Sequence, residues 1–530
     1  MLENKDAARM LENIVGVDNF SEDPAIISSY TLLPFATRMA GSKDMFDMVK
    51  LSAILLPGSA EEVSAIVKVC NRYKITFKAS STLMHAWSGS IREGSIHIDM
   101  RRMNRIVKLD DKNMYAVVEP YVSGRELAVE AAKKGLATHI IGAGSQTSVL
   151  ASATSGWGHG HSATTTSYSG RNYLGSEWVL PTGEIVRWGM VEEGKAGHPG
   201  PGLVGIHRGS HGAFGALGIF TKAAIKLHPW PGPTQLEITG KNPTPGFRIP
   251  KNMKVYLLAY PTPEELGDAT YKIVDAHIAY HIWCQPMFFH PQRWMGDSND
   301  DHYEIWKRLQ AAGLTEKNLD QLTVVIAAYS EKELKYKEKV MEDIIRETGA
   351  EQCLPGFLTE QDMERFFCAQ IAVHKPCTEF RTGGGEMTSS WGQILNWDDQ
   401  MKAKKAIREM QKKYVAQGVL TDVAAESCWG GPIEQKALGH TEFVNFTNIL
   451  DLEFVKRQRE FLDETKEFAK KEKLLGTTGL YVVTAEGDQD ASKHLGNYFE
   501  YKKKIKKALD PNDVADSTLY LGASRPWVLP

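Results

Sequence analysis

Two stretches built almost wholly of small residues restrict this chain more than any other feature. They are Ser148-Val-Leu-Ala-Ser-Ala-Thr-Ser-Gly-Trp-Gly-His-Gly160 and Gly205-Ile-His-Arg-Gly-Ser-His-Gly-Ala-Phe-Gly-Ala-Leu-Gly-Ile-Phe-Thr221. Small residues let a backbone approach a ligand closely, and successive N–H groups in such turns can surround a diphosphate without a lysine. The pair therefore points to a dinucleotide rather than to a single phosphate. A third short segment, Leu509-Asp-Pro-Asn512, completes the set near the C-terminus.

At 530 residues the chain exceeds what one hydrophobic core supports, so two or more domains are expected. A net charge of -3, from 62 basic and 65 acidic residues, argues against nucleic acid or an anionic membrane as the main partner. A small-molecule substrate is expected instead. The start, Met1 to Arg9, is too polar for a signal peptide, and charges interrupt every apolar run before it reaches membrane-spanning length. No membrane span and a cytoplasmic location are the expectations. The six cysteines are scattered without a CxxC pair, which argues against a zinc ribbon, an iron–sulfur cluster or a disulfide framework; most should be small buried residues.

From Leu51 to about Leu227 short apolar runs alternate with helical patterns. Strands are predicted at 52–57, 75–78, 95–99 and 116–119, and helices at 59–71, with a Ser-x-x-Glu start, and at 123–134. The proline-rich Pro229-Trp-Pro-Gly-Pro233 marks the exit from this part. Beyond it, long helices over 398–417 and 452–473 and strands over 255–259 and 322–327 indicate a second α+β domain. The predicted boundaries are 1–234, 235–475 and 476–530.

The order of motifs resembles the flavoprotein family of vanillyl-alcohol oxidase and para-cresol dehydrogenase, whose FAD-binding domain is of the PCMH type. The resemblance rests on Pro57-Gly-Ser-Ala-Glu-Glu-Val63, Ile98-Asp-Met-Arg-Arg-Met-Asn-Arg-Ile106, Tyr115-Ala-Val-Val-Glu-Pro-Tyr-Val122 and Val179-Leu-Pro-Thr-Gly-Glu-Ile-Val186. In the second half it rests on Gly383-Gly-Gly-Glu-Met387, Val423-Ala-Ala-Glu426 and Ala437-Leu-Gly-His440. It implies an α+β, two-domain fold with a substrate-binding cap and a C-terminal segment that returns to the FAD-binding domain. FAD would be held by Lys78, Ala79, Ser80, Ser81, Thr82 and His85 of a first loop, and by Ser148, Ser152, Ala153, Thr154, Gly156, Gly158 and His159 of a second. Gly215, Gly218, Ile219 and Thr221 would place backbone against it, and Arg525 would supply positive charge near flavin N1. Tyr481, Glu426 and His440 would be the catalytic groups.

The chain departs from the family pattern in three places. Its first loop, Lys78-Ala-Ser-Ser-Thr-Leu-Met-His-Ala-Trp-Ser-Gly89, has alanine and serines where consecutive glycines are usual. Tyr481 is followed by Val482 rather than by the arginine that steadies a phenolate. The acidic residue expected after the second loop is replaced within Ser169-Gly-Arg-Asn172. Architecture is therefore expected to be kept and the usual phenol substrate not.

His159 and His161 form one His-x-His without a neighbouring carboxylate or cysteine, so no metal is expected; His159 is assigned to cofactor and His161 to solvent or structure. His211 is read as a loop residue supporting FAD. Lys502 to Lys507 reads as the solvated face of an amphipathic helix. The resulting expectation is an FAD-dependent oxidoreductase that removes a hydride from a small aromatic or hydroxylated substrate to flavin N5, passing electrons to oxygen or to a partner acceptor protein. A homo-oligomer is implied by the resemblance. The alternatives are a flavin-dependent D-2-hydroxyacid dehydrogenase and a non-redox flavin transferase resembling alkylglycerone-phosphate synthase; the histidine-rich cap segments of both are missing.

Overall fold

A computed structural model of the protein describes residues 1–31, 50–83, 89–90, 92–139, 144–156, 158–191, 203–209, 211–240, 245–285, 295–315, 320–352, 357–372, 386–421, 429–447, 452–474 and 496–521. Its first unit forms where the sequence predicts alternating strands and helices. α1 (Lys5–Val15) starts on Asn4, whose side chain accepts from the Asp6 and Ala7 N–H groups. α2 (Ala60–Tyr73) starts on Ser59, whose Oγ accepts from the Glu62 N–H, while Glu62 accepts from the Gly58 N–H. The predicted start is present, displaced by one residue on the returning bond.

Both helices lie on a four-stranded sheet of β1 (Phe20–Ser21), β2 (Ala53–Leu55), β3 (Phe77–Ser80) and β4 (Ile96–Asp99), ordered β1-β2-β4-β3. The last three are parallel and fully or almost fully buried, as parallel strands must be when both faces are covered. Leu11, Val63, Ile66 and Cys70 pack against Phe77, Ile96 and Ile98. Val514 and Ala515, from the far end of the chain, join this core, and Phe77 N–H donates to Val514 O at 2.8 Å.

A second, antiparallel sheet is formed by β5 (Ile106–Asp110), β6 (Tyr115–Val118), β7 (Tyr173–Val179), β8 (Ile185–Gly189) and β9 (Ile219–Lys226), ordered β5-β6-β9-β7-β8. α3 (Gly124–Ala132), with a complete Ser123/Glu126 capping box, and α4 (Val149–Thr154) bury Leu127, Val149 and Leu150 against Trp178 and Phe220. A short helix, α5 (Ala163–Thr166), follows α4 before the chain enters β7.

The second half centres on an antiparallel sheet of β10 (Met253–Tyr260), β11 (Ala279–Cys284), β12 (Asp320–Ala327), β13 (Glu351–Gln352), β14 (Glu386–Leu395), β15 (Trp429–Ile433) and β16 (Leu438–Thr447), ordered β13-β10-β12-β11-β15-β16-β14 among the described residues. α6 (Pro263–Asp275), α7 (Glu331–Thr348), α8 (Trp397–Ala416) and α9 (Leu452–Lys471) contribute to the same core, where Ile273, Met341, Trp397 and Phe461 meet Leu322, Val324 and Phe443. The chain is thus α+β in two parts. Within the second core Asp320 is buried between Lys404 Nζ at 2.7 Å and Arg408 Nη1 at 3.1 Å.

The lysine run corrects the sequence reading. In α10 (Tyr498–Leu509), Lys503, Lys504 and Lys507 are exposed, but Lys502 and Lys506, one turn apart, are buried. Lys506 Nζ donates to Asp510, to Ala216 O at 3.0 Å and to Ala515 O at 2.7 Å. Asp510 also accepts from the Val514 and Ala515 N–H groups, so the Leu509-Asp-Pro-Asn512 segment is a clamp that fastens the C-terminal stretch to β3.

Candidate functional site

Along β3 the side chains alternate. Phe77 and Ala79 enter the core, and Lys78 and Ser80 turn the other way. Lys78 is 2% exposed, and its Nζ donates to Phe214 O. After the strand, Thr82 Oγ1 accepts from the Ser148 N–H at 3.2 Å, which ties the first loop to the start of α4. Ser148 Oγ accepts from the Ala151 N–H and donates to Pro120 O at 2.6 Å. Past α4 the glycine-rich stretch 212–218 folds back on the second loop: Gly212 N–H donates to Gly156 O and Phe214 N–H to Ser155 O. A Cβ on Gly212 would lie 2.3 Å from Thr154 O, and one on Gly218, at φ +110°, 2.3 Å from Val179 O. Only glycine allows this layering.

Between these layers lies an open cleft. Of the residues proposed from the sequence, Lys78, Ala79, Ser80, Ser81, Thr82, Ser148, Ser152, Gly156, Gly215, Gly218 and Ile219 line it. Thr147 Oγ1 and Ser152 Oγ line it too, buried and without a hydrogen-bond partner among the described residues. Burial presses the Lys78 ammonium down to about 8, against the attraction of Asp516. Buried hydroxyls that need partners, a buried cation and glycine turns together suit an anionic dinucleotide.

Other expected residues fall outside the lining. Ala153 packs in the core, and Thr154 Oγ1 donates to Leu150 O at 2.9 Å. Gly158 is pressed against Ser169, where a Cβ would meet Oγ at 2.0 Å. Thr221 Oγ1 donates to Glu177 Oε1 at 3.0 Å. His85, Tyr481, Glu426 and Arg525 lie outside the described residues.

His159 sits where the first half meets the second. Its ring stacks on that of His440 with centroids 4.9 Å apart, and the edge of Tyr168 meets it at 5.9 Å. Burial, then the neighbouring His440, His211, His139 and Arg208, push His159 well below the ordinary imidazole range, so it is neutral at pH 7. His440 is completely buried, with Nε2 at 3.6 Å from Glu442 Oε2 and the ring edge-on to Trp429. His161 also lies in the interior: Nδ1 meets Gln370 O at 2.9 Å and the ring lies between Trp283 and Trp429, which excludes a solvent role. Hydrogen bonds close the junction, from Glu434 N–H to Ala163 O, Gln435 N–H to Thr164 O and Thr164 Oγ1 to Pro432 O. Arg171, in the segment lacking the expected acid, pairs with Glu434 at 2.9 Å.

Residues 51–189 match the family described as FAD binding domain. The chain carries an FAD-binding domain. An uncharacterized FAD-linked oxidoreductase of Mycobacterium tuberculosis is 31% identical over 178 residues, 33% of this chain and 37% of the relative. The flavoprotein subunit of 4-cresol dehydrogenase (hydroxylating) from Pseudomonas putida is 30% identical over 105 residues, 19% of this chain and 20% of the relative. The matches thus span 37% and 20% of these relatives' own lengths. The fold is shared more widely: the structure of p-cresol methylhydroxylase with substrate bound superposes with a TM-score of 0.73 at 16% identity, covering 98% of this chain and 96% of that one. The chain therefore has the PCMH-type fold, and its cofactor is FAD.

Some residues around the FAD-binding domain carry no local sequence signal. Arg208 is buried, and its Nη1 donates to Ser152 O at 2.9 Å and to Ala153 O, closing the C-terminal end of α4; burial lowers it to about 10. Trp283 and Trp429, whose rings meet edge to face at 4.9 Å, come from strands of the second half and could not be placed before the sheet order was known. Thr147 adjoins Ser148 and was within reach of the motif. His97 was not, since nothing in an apolar strand marks a histidine that contacts Ser80 across a parallel pair.

Proposed function

We propose that this chain is an FAD-dependent oxidoreductase of the vanillyl-alcohol oxidase type, acting on a small aromatic or hydroxylated substrate. The FAD-binding part would comprise residues 1–234 and 476–530, with residues 235–475 as the cap. Lys78 to Thr82, Ser148, Ser152, Gly215 and Gly218 would hold FAD, and Arg525 would lie near N1. Bound FAD supplies a hydride acceptor at N5 of its isoalloxazine.

The observation that carries the reading is the stacking of His159 on His440. It joins the loop next to the FAD cleft with a buried cap strand, in a setting walled by Trp283, Trp429 and Tyr168. Buried aromatic walls favour a flat apolar substrate and exclude water. His440 accepts the substrate proton as the substrate is oxidised, with Glu442 positioned to balance the charge at 3.6 Å; Glu426 and Tyr481 are the further proton-handling groups of this reading. His159, held neutral, orients the His440 ring without adding charge. Electrons pass on to oxygen or to an acceptor protein, and the enzyme works in the cytoplasm as a homo-oligomer.

The test begins with the visible spectrum of the purified protein and of its acid-precipitated pellet. The protein is then mixed anaerobically with 4-alkylphenols, benzylic alcohols and D-2-hydroxy acids. Bleaching by a phenol or benzylic alcohol supports the proposal, and Tyr481→Phe should slow it. Bleaching by D-2-hydroxy acids alone would replace the substrate class. Bound FAD that no donor bleaches would favour non-redox transferase chemistry.

A further inference from the structure

The segment Lys78-Ala-Ser-Ser-Thr82 lines the FAD cleft without a single glycine, so its backbone has few of the conformations that let consecutive N–H groups converge on a phosphate. Side chains occupy the same place. Lys78 is 2% exposed and lies under Gly215, where an added Cβ would be 3.8 Å from Nζ. An ammonium has three donors, and one goes to Phe214 O. The charged groups facing it are Asp516 and Lys506, and the neutral ring of His97 lies beside it. Asp516 accepts from Ser90 Oγ at 2.9 Å and lies 3.9 Å from Arg92, and Lys506 is bonded to Asp510. Among the described residues no carboxylate lies within ion-pair distance of Lys78 Nζ. A buried ammonium without a counter-ion is costly, and an anion in the cleft would relieve it.

Ser80 shows the same provision. Its Oγ is 2.7 Å from Nε2 of His97, which is fully buried and whose Nδ1 has no partner among the described residues. Burial lowers His97 to about 4, so the ring is neutral and one nitrogen carries the hydrogen. An orphaned buried N–H is rarer than an orphaned acceptor, which places the hydrogen on Nε2. The ring then donates to Ser80 Oγ, and the serine hydroxyl keeps its hydrogen for a group in the cleft.

We infer that the Lys78 ammonium and the Ser80 hydroxyl, the latter oriented by His97, recognise the FAD diphosphate and stand in for a glycine-rich first loop. The inference rests on FAD occupying this cleft. It is tested by phosphorus NMR of the FAD-loaded protein between pH 7 and 10, and by FAD retention on dialysis against 0.5 M KCl. In the wild type the diphosphate resonances should titrate with the lysine. Lys78→Met should displace them, remove that titration and weaken FAD binding by about 10- to 100-fold. Lys78→Arg should retain FAD while losing the titration, and Ser80→Ala should weaken binding by about 10-fold. Unchanged resonances and FAD retention in a folded Lys78→Met would overturn the inference. Should that variant fail to fold, a Lys78→Arg protein whose diphosphate resonances still titrate, or a Ser80→Ala protein that holds FAD as tightly as the wild type, would overturn it. Wild-type protein that takes up no FAD would overturn the cofactor's place in the cleft, an outcome distinct from FAD-loaded protein indifferent to Lys78.

Discussion

The imidazole of His159 stacks on that of His440 with ring centroids 4.9 Å apart and planes inclined by 26°. One ring belongs to the glycine-rich loop after α4 and the other to β16 of the seven-stranded sheet in the second half, so two parts of the chain meet through a pair of titratable side chains. Neither ring is more than 2% exposed, which makes the contact sensitive to substitution on either side.

His440→Asn should lower the rate of flavin reduction by a saturating donor about 10²- to 10⁴-fold, the usual contribution of a positioned proton acceptor. FAD should remain bound, because His440 does not line the cofactor cleft. Stopped-flow absorbance with an unchanged resting spectrum makes the comparison, and a loss below about 3-fold would remove His440 from the proton-accepting role.

Gly212→Ala and Gly218→Ala should each destabilise the protein by about 2–4 kcal/mol and reduce its flavin content, since each Cβ would meet a backbone oxygen at 2.3 Å. Gly205→Ala is the control. Nothing lies within 4 Å of its added Cβ, and its effect should stay within about 0.5 kcal/mol. Urea unfolding of the three variants separates close approach from a general intolerance of substitution.

Asp320→Ala should cost about 3–5 kcal/mol, because it removes the buried carboxylate that Lys404 and Arg408 share in the core beside β12. The visible spectrum of any folded fraction should be unaltered, as the FAD-binding domain lies elsewhere. A urea midpoint within error of the wild type would show that the buried cations find other partners.

Acid should unfold the protein partly through its buried histidines. His97 and His139 are lowered by burial to about 4 and about 3, whereas in the unfolded chain they titrate near 6.5. Between those values the unfolded state binds more protons, so stability falls as pH drops from about 6.5, by about 1.4 kcal/mol per pH unit for each such group. The loss is complete once pH lies below the folded values. Unfolding midpoints at pH 7, 6 and 5 should trace this slope, and His97→Gln should make it shallower; an equal slope in that variant would show that His97 titrates normally.

Much of the local structure was readable from the residues. Ser59 and Ser123 cap α2 and α3 because a serine hydroxyl satisfies the free N–H groups of a first turn, a contact made within four residues. The small-residue stretches likewise announced the cleft, since close approach of backbones is a property of the residues themselves. Lys506 was misread because periodicity gives the faces of a helix but does not say what covers them; here Asp510 and two carbonyls enclose one of the lysines.

The sequence by itself determined the alternating strands and helices, the glycine layers and the kind of cofactor they accommodate, because caps, turns and small-residue approach act over a few positions. Tertiary structure alone decided that His97 contacts Ser80, that His159 meets His440 and that Arg208 closes α4. Each of these joins residues whose proximity follows from strand order and sheet packing. Side-chain chemistry does not encode that proximity until the whole chain has been brought together.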